Sequence, residues 1–183
     1  MGWHHLLDAR PIVVAIAGSN GAGKTTFFNA HLSDTGLRFV NGDELALELG
    51  VDAYEAARVA DALRRTLVER GESFVFETVF SDPVGDKAQF LLEATRRGYQ
   101  VVVIFIRLDG IETSKERVSM RVLQGGHDVP DEKLEKRFNR TIANLDRAIK
   151  SLPLVIVFDN SDLATPYRLE EVYQNGGRRI DKE

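Results

Sequence analysis

The chain contains no cysteine, which removes disulfides, thiolate metal ligands and thiol nucleophiles together. A reducing compartment is the simplest home for such a chain, so a cytoplasmic protein is expected. Long hydrophobic runs are missing too. The longest are pieces such as Val101 to Ile106, far short of the ~20 residues that a spanning helix needs, and no membrane partner is expected. Met1-Gly2-Trp3-His4-His5 has no basic-then-apolar leader pattern, and Leu6 stands where a myristoylation site needs Ser or Thr. Nor is there an excess of positive charge. Lys and Arg total 24 against 28 Asp and Glu, a formal net charge of −4, and the basic residues are scattered, which argues against a dedicated nucleic-acid binder. Internal repeats and low-complexity tracts are absent. At 183 residues the length suits one compact domain, with or without a small lid.

Short apolar runs alternate with longer amphipathic stretches. Ile12 to Ala17, Leu37 to Val40, Ser73 to Phe76, Val101 to Ile106 and Leu154 to Phe158 have the size and the β-branched or aromatic content of strands covered on both faces. Between them, Ala56, Val59, Ala60, Leu63 and Leu67 form a helical stripe within about Ala53 to Arg70, stopped by Gly71. Asp82 and Pro83 suggest the cap and first position of a helix running to about Arg97. A further helix is expected from Ile111 to Gln124. The last begins near Pro130, with Asp131 and Glu132 in its first turn, and continues to about Lys150. Alternation of this kind predicts an α/β fold, a parallel sheet between two layers of helices.

The most specific signal is Gly18-Ser19-Asn20-Gly21-Ala22-Gly23-Lys24-Thr25, a full match to the G-x-x-x-x-G-K-[ST] phosphate loop, lying after a predicted strand and before a predicted helix. Glycines let successive N–H groups turn toward a phosphate, and the following helix adds the positive end of its dipole. Asn20, Gly21, Ala22, Gly23, Lys24, Thr25 and Thr26 are therefore the expected ATP-binding residues. Lys24 would reach the β- and γ-phosphates and the Thr25 hydroxyl would ligate Mg²⁺.

Two classes of phosphate-loop protein are disfavoured. No Asn-Lys-x-Asp segment follows a late strand, as a signalling GTPase would require. Val122-Leu123-Gln124-Gly125-Gly126-His127 only echoes a transporter ATPase signature, and the strand at Leu154 to Phe158 leads into Asp159-Asn160 without a Glu.

A small-molecule kinase needs an acceptor-binding carboxylate, an acid that organises magnesium, and arginines that close over the transferring phosphate. Asp43 follows the second strand and is a candidate to accept the acceptor's proton, with helix N-capping as the alternative. Glu77-Thr78 closes the third strand and is a candidate to hold a magnesium-bound water or a substrate hydroxyl; a strand-end ion pair is the alternative. Arg117 with Arg121, and Arg137 with Arg140, can share helical faces on either side of Gly125-Gly126-His127-Asp128-Val129-Pro130, an arrangement that suggests a lid. His127 reads as a loop histidine, structural or solvent-facing, with contact to the substrate as the alternative. Asn160 either borders the adenine pocket or caps a helix.

Taken together, the phosphate loop, Asn41-Gly42-Asp43, Glu77-Thr78, the stretch from Arg121 through Gly125-Gly126-His127-Asp128-Val129-Pro130 to Arg137, and Asp159-Asn160-Ser161 resemble the zeta toxin family of P-loop kinases. The resemblance runs across nearly the whole chain. It implies a three-layer fold like that of nucleoside-monophosphate and shikimate kinases, with a five-stranded sheet in the order 2-3-1-4-5. Residues 1–183 would form one such domain with a lid over about residues 112–140. It also implies ATP-dependent phosphorylation of a small hydroxyl acceptor, which in the better-known members is a UDP-N-acetyl amino-sugar. By position, Asp43 matches the acceptor-activating carboxylate, Lys24 and Thr25 the phosphate loop, Glu77 and Thr78 the substrate-side pair, and Arg121 and Arg137 the lid arginines. The chain is shorter than the larger toxins and lacks their extra substrate-covering segments. Lys24, Asp43, Glu77, Arg121 and Arg137 are thus the expected catalytic groups, with ATP and Mg²⁺ as cofactors and an antitoxin-like protein as a partner. The competing possibility is a regulatory ATP-binding module that has no small-molecule acceptor.

Overall fold

The computed structural model describes residues 2–123 and 129–179. Among them seven strands form one sheet in the order β2-β3-β1-β4-β5-β6-β7. These are β1 (Ile12–Ala17), β2 (Arg38–Val40), β3 (Phe74–Thr78), β4 (Gln100–Arg107), β5 (Leu154–Asp159), β6 (Arg168–Gln174) and β7 (Gly177–Arg179). The first five are parallel and follow the expected 2-3-1-4-5 order; β6 and β7 add an antiparallel extension beside β5.

Every residue of β1 is buried, as is all of β4 except its two ends, because helices cover both faces of the sheet. The α-helices among the described residues are α1 (Lys24–His31), α2 (Gly42–Leu49), α3 (Ala53–Glu69), α4 (Asp86–Arg96), α5 (Ile111–Leu123) and α6 (Asp131–Ser151). One core holds Phe74, Phe76, Phe80, Phe90 and Leu67 under α3, α4 and α6. The other holds Ile12, Ile16, Phe27, Val75 and Phe158 under α1 and the N-terminal turn Trp3–Leu7. Phe27 fixes α1 there, its ring 5.1–5.7 Å from those of Phe158, Tyr167 and Trp3. Such ring pairs contribute about 0.5–1.5 kcal/mol each beyond their buried area. No described helix is long and apolar enough to cross a membrane.

Two expectations need correction, and one alternative is excluded. The sheet has seven strands rather than five, because β6 is polar. Its Glu170 and Glu171 pair with Arg107 at the end of β4, at 2.9 and 3.2 Å, and of its residues only Val172 is buried, so it shows no apolar run. The fourth helix starts at Asp86, not at Pro83, and its N-cap is Gly85 rather than Asp82. Residues 79–82 are kept out of the helix by α6. There Thr141 Oγ1 donates to the Val79 carbonyl at 2.8 Å, and Asn144 Nδ2 donates to those of Phe80 and Asp82 at 2.9 and 3.0 Å. Finally, Asn41 rather than Asp43 caps α2, its Oδ1 accepting from the Asp43 N–H at 2.9 Å, and this leaves the Asp43 carboxylate uncommitted to capping.

Register then sets the site. Ala17 lies beside Thr78 and Phe105, and Arg107 beside Asp159, so the phosphate loop, Glu77 and Asn160 all emerge at the carboxyl edge of the sheet.

Candidate active site

The phosphate loop leaves β1 at Gly18 and enters α1 at Lys24, with Gly23 in the left-handed conformation at φ +89° as the helix N-cap. Only a residue without Cβ fits at Gly23. An added Cβ would stand 2.7 Å from Tyr167 Oη and 2.9 Å from Asn160 Nδ2. Lys24 is 6% exposed, and its ammonium donates to the Ser19 carbonyl at 3.1 Å, folding back across its own loop. Burial pulls its pKa below the ordinary lysine value, and the charge of Arg121 adds to that. Glu77 and Asp43 pull the other way.

Glu77 is the centre of the arrangement. Its Oε2 accepts from the Thr25 hydroxyl at 2.6 Å and from Asn41 Nδ2 at 3.5 Å, and its Oε1 lies 3.7 Å from Lys24 Nζ. One carboxylate thus touches both the phosphate lysine and the hydroxyl next to it. Asp43 stands exposed in the first turn of α2, close enough to act electrostatically on both Lys24 and Arg137. Burial and Arg140 lower the pKa of Arg137, while Asp43 opposes them. Glu44, next to Asp43, has its pKa raised by partial burial and then by the charges of Glu77, Glu48 and Asp43, which marks this edge as strongly acidic.

The structure brings Lys24, Thr25, Asp43, Glu77, Arg121 and Arg137 into one electrostatic neighbourhood. The side chains of the other two arginines are bonded elsewhere, although the charge of Arg140 still acts on Arg137. Arg117 donates to the Ser161 carbonyl at 3.0 Å, and Arg140 turns back to the Lys136 carbonyl of its own helix at 3.2 Å. Thr78 Oγ1 accepts from the Phe80 N–H at 3.0 Å, shaping the turn after β3. Gln124, Gly125, Gly126, His127 and Asp128 lie outside the described residues. Asn160 caps no helix: it is buried and donates from Nδ2 to the Ala22 carbonyl at 2.8 Å.

Sequence reasoning missed Ser114 and Tyr167, which also touch the loop. Ser114 Oγ donates to the Asn20 carbonyl at 2.7 Å and Tyr167 Oη to the Gly23 carbonyl at 2.9 Å. For Tyr167 a signal existed. Asn175-Gly176, with φ of +50° and +78°, is a hairpin turn pair between β6 and β7, and finding that hairpin would have placed Tyr167 at the start of its first strand.

The metal-ligand chemistry can be judged from the donors present. Among the described residues no group of three or more His, Asp or Glu side chains stands together to hold a metal ion. A single hydroxyl with a carboxylate behind it suits Mg²⁺, which keeps most of its water and takes further oxygens from phosphates.

Phosphate loop, parallel 2-3-1-4-5 core and acids at the carboxyl edge define a P-loop kinase fold. The chain belongs to the zeta toxin family, whose model matches residues 51–171. That span includes Glu77, Arg121 and Arg137, while the phosphate loop and Asp43 precede it. Among solved structures, the AvrRxo1-ORF1:ORF2 complex with ATP aligns with a TM-score of 0.72 at 19% identity, over 97% of this chain and 62% of that one. The chain thus spans about 62% of the length of that relative. The PezAT chromosomal toxin–antitoxin system of Streptococcus pneumoniae aligns with a TM-score of 0.60 at 20% identity, over 83% and 69%. A putative kinase from Chloroflexus aurantiacus aligns with a TM-score of 0.58 at 19% identity, over 84% and 87%. No curated protein matches the chain.

Proposed function

We propose that the protein is an ATP-dependent phosphotransferase that moves the γ-phosphate of ATP to a hydroxyl of a small acceptor. The observation that carries this is the position of Glu77, in contact with Thr25 and beside Lys24, with the charge of Asp43 acting on the same lysine. In this assignment residues 20–26 hold the nucleotide, and Lys24 neutralises the β- and γ-phosphates. Mg²⁺, held at Thr25 with Glu77 behind it, would supply charge neutralisation between those phosphates. Asp43 orients the attacking hydroxyl and takes its proton. Arg121 and Arg137 stabilise the charge on the transferring group, and α5 and α6 carry them as the sides of a lid over about residues 112–140. His127 has no part in this scheme.

The acidic edge made by Asp43, Glu44 and Glu77 favours an acceptor that presents hydroxyls there rather than a second anion. A UDP-N-acetyl amino-sugar meets that demand at its sugar end. The PezAT and AvrRxo1 structures are of complexes, which supports an antitoxin-like protein as partner. The same observation favours a second possibility, an ATP-binding module switched by its partner without any acceptor.

The two separate in one experiment. Purified protein is incubated with Mg-ATP and a panel of nucleotide sugars and simpler polyols, and the products are weighed by mass spectrometry. Addition of one phosphoryl group to one compound, with stoichiometric ADP, supports the kinase. Slow ADP release that no acceptor accelerates supports the switch.

A further inference from the structure

The phosphate loop is held from outside by three side chains that the sequence motif does not contain. Each belongs to a different part of the fold: Ser114 to α5, Asn160 to the exit of β5, and Tyr167 to the approach to β6. Each donates to a carbonyl of the loop, respectively that of Asn20, Ala22 and Gly23, at 2.7–2.9 Å. A fourth carbonyl, that of Ser19, accepts from Lys24 Nζ and from the Ala22 N–H at 3.1 and 3.2 Å.

A peptide unit is planar and trans, so its C=O and the N–H of the next residue point in opposite directions. Holding the carbonyls of Asn20, Ala22 and Gly23 outward, the last of them shared with the Phe27 N–H of α1 at 2.8 Å, therefore turns the N–H groups of Gly21, Gly23 and Lys24 to the other side, into the hollow of the loop. Three donors aimed at one hollow make an anion cradle. Their alignment costs nothing at binding if it is already fixed, and preorganised donors are worth more than mobile ones.

Resting on the nucleotide-binding assignment above, we propose that Ser114 and Tyr167, together with Asn160, are positioning residues that preset the phosphate-loop N–H groups for a nucleoside di- or triphosphate. The β6–β7 extension thereby acquires a role: it carries Tyr167 to the loop at a backbone φ of +55°. Helix α5 acquires one as well. Its Ser114 carbonyl and Arg117 Cβ approach within 3.0 Å of where a Gly21 Cβ would stand, so the helix that bears Arg121 is docked on the loop tip. The N-terminal half of α5 is thus an anchor for the loop.

The test compares ADP with adenosine, because only ADP reports on the cradle. Dissociation constants for both are measured by calorimetry or NMR titration on the wild-type chain, Ser114→Ala and Tyr167→Phe. Tyr167→Phe keeps the ring against Phe27 and removes only the hydroxyl. Each variant is expected to weaken ADP about 3–10-fold, the loss typical of one oriented hydrogen bond, and to leave adenosine unchanged. If one variant does not fold, the other carries the test alone. Wild-type ADP affinity in the folded variants overturns the proposal, and so does an equal loss for ADP and adenosine, which a merely structural role would give. Failure of the wild type to bind ADP overturns the nucleotide assignment and this inference with it.

Discussion

The Thr25 hydroxyl donates to Glu77 Oε2 at 2.6 Å, so the phosphate loop and the acid in β3 are in direct contact. With its proton committed to Glu77, the Thr25 oxygen keeps its lone pairs for a cation, and Glu77 keeps a second oxygen beside Lys24.

Glu77→Gln retains the shape and one acceptor oxygen but removes the charge between Thr25 and Lys24. Phosphotransfer is expected to fall by about 10²-fold or more, with magnesium-free ADP affinity within a few-fold of wild type. Steady-state rates and calorimetry check this; an unchanged rate would remove Glu77 from the scheme.

Asp43 does not cap its helix, so its replacement leaves α2 intact. Asp43→Asn should lose about 10²–10⁴ in the rate of transfer to the acceptor while ATP binding persists. Full activity in that variant would sink the role assigned to Asp43.

Arg121 and Arg137 act on Lys24 and Asp43 respectively, from the two helices that flank residues 124–128. Arg121→Ala and Arg137→Ala are each expected to lower kcat by at least about 10³-fold with a smaller change in the KM for ATP. Arg140→Ala, whose guanidinium turns to its own helix and acts only through its charge on Arg137, should lose much less than either. Equal losses from all three would refute the distinction between them.

Away from the site, Asp61 receives Arg64 at 2.9 Å, Arg65 at 3.1 Å and Lys87 at 3.5 Å. Burial raises its pKa, but the hydrogen bonds from Arg64 and Arg65 and the charge of Lys87 outweigh that, and the net direction is down. A carboxylate depressed in the fold binds fewer protons there than in the unfolded chain. Its stabilisation is complete above the ordinary Asp value and is lost as pH falls through the lower folded value. Asp61→Asn leaves Arg64, which lies over the Phe76 ring at 5.0 Å, buried without its charge partner. The expected loss at pH 7 is about 1–3 kcal/mol, reduced from the fully buried case because Asp61 is 37% exposed. Urea unfolding at pH 7 and pH 3 measures it: the wild type and Asp61→Asn should differ at pH 7 and converge at low pH. A constant gap would assign the effect to packing instead.

The parallel core was legible because β1, β3, β4 and β5 are short runs largely buried on both faces, where periodicity and composition agree. The phosphate loop was legible because backbone geometry demands glycine and the chemistry demands Lys and Thr at adjacent positions. Strands β6 and β7 were not, since Glu170 and Glu171 are polar residues held by Arg107, a partner 63 and 64 positions away. The start of α4 was misplaced for a similar reason. Asp82-Pro83 is a sound local capping signal, but Asn144 of α6 takes the nearby carbonyls and the helix begins only after Gly85.

By itself the sequence determined which groups are available: a glycine-rich loop with Lys24 and Thr25, acids at the ends of two strands, and arginines on two later helices. Those choices are local, written in backbone conformational freedom, burial pattern and side-chain type. Only the tertiary structure decided which of them meet. Glu77 reaches Thr25 across 52 positions, and Ser114, Asn160 and Tyr167 reach the loop across 94, 138 and 144. Contacts at such separations depend on strand order and helix docking, which no short stretch of the chain encodes.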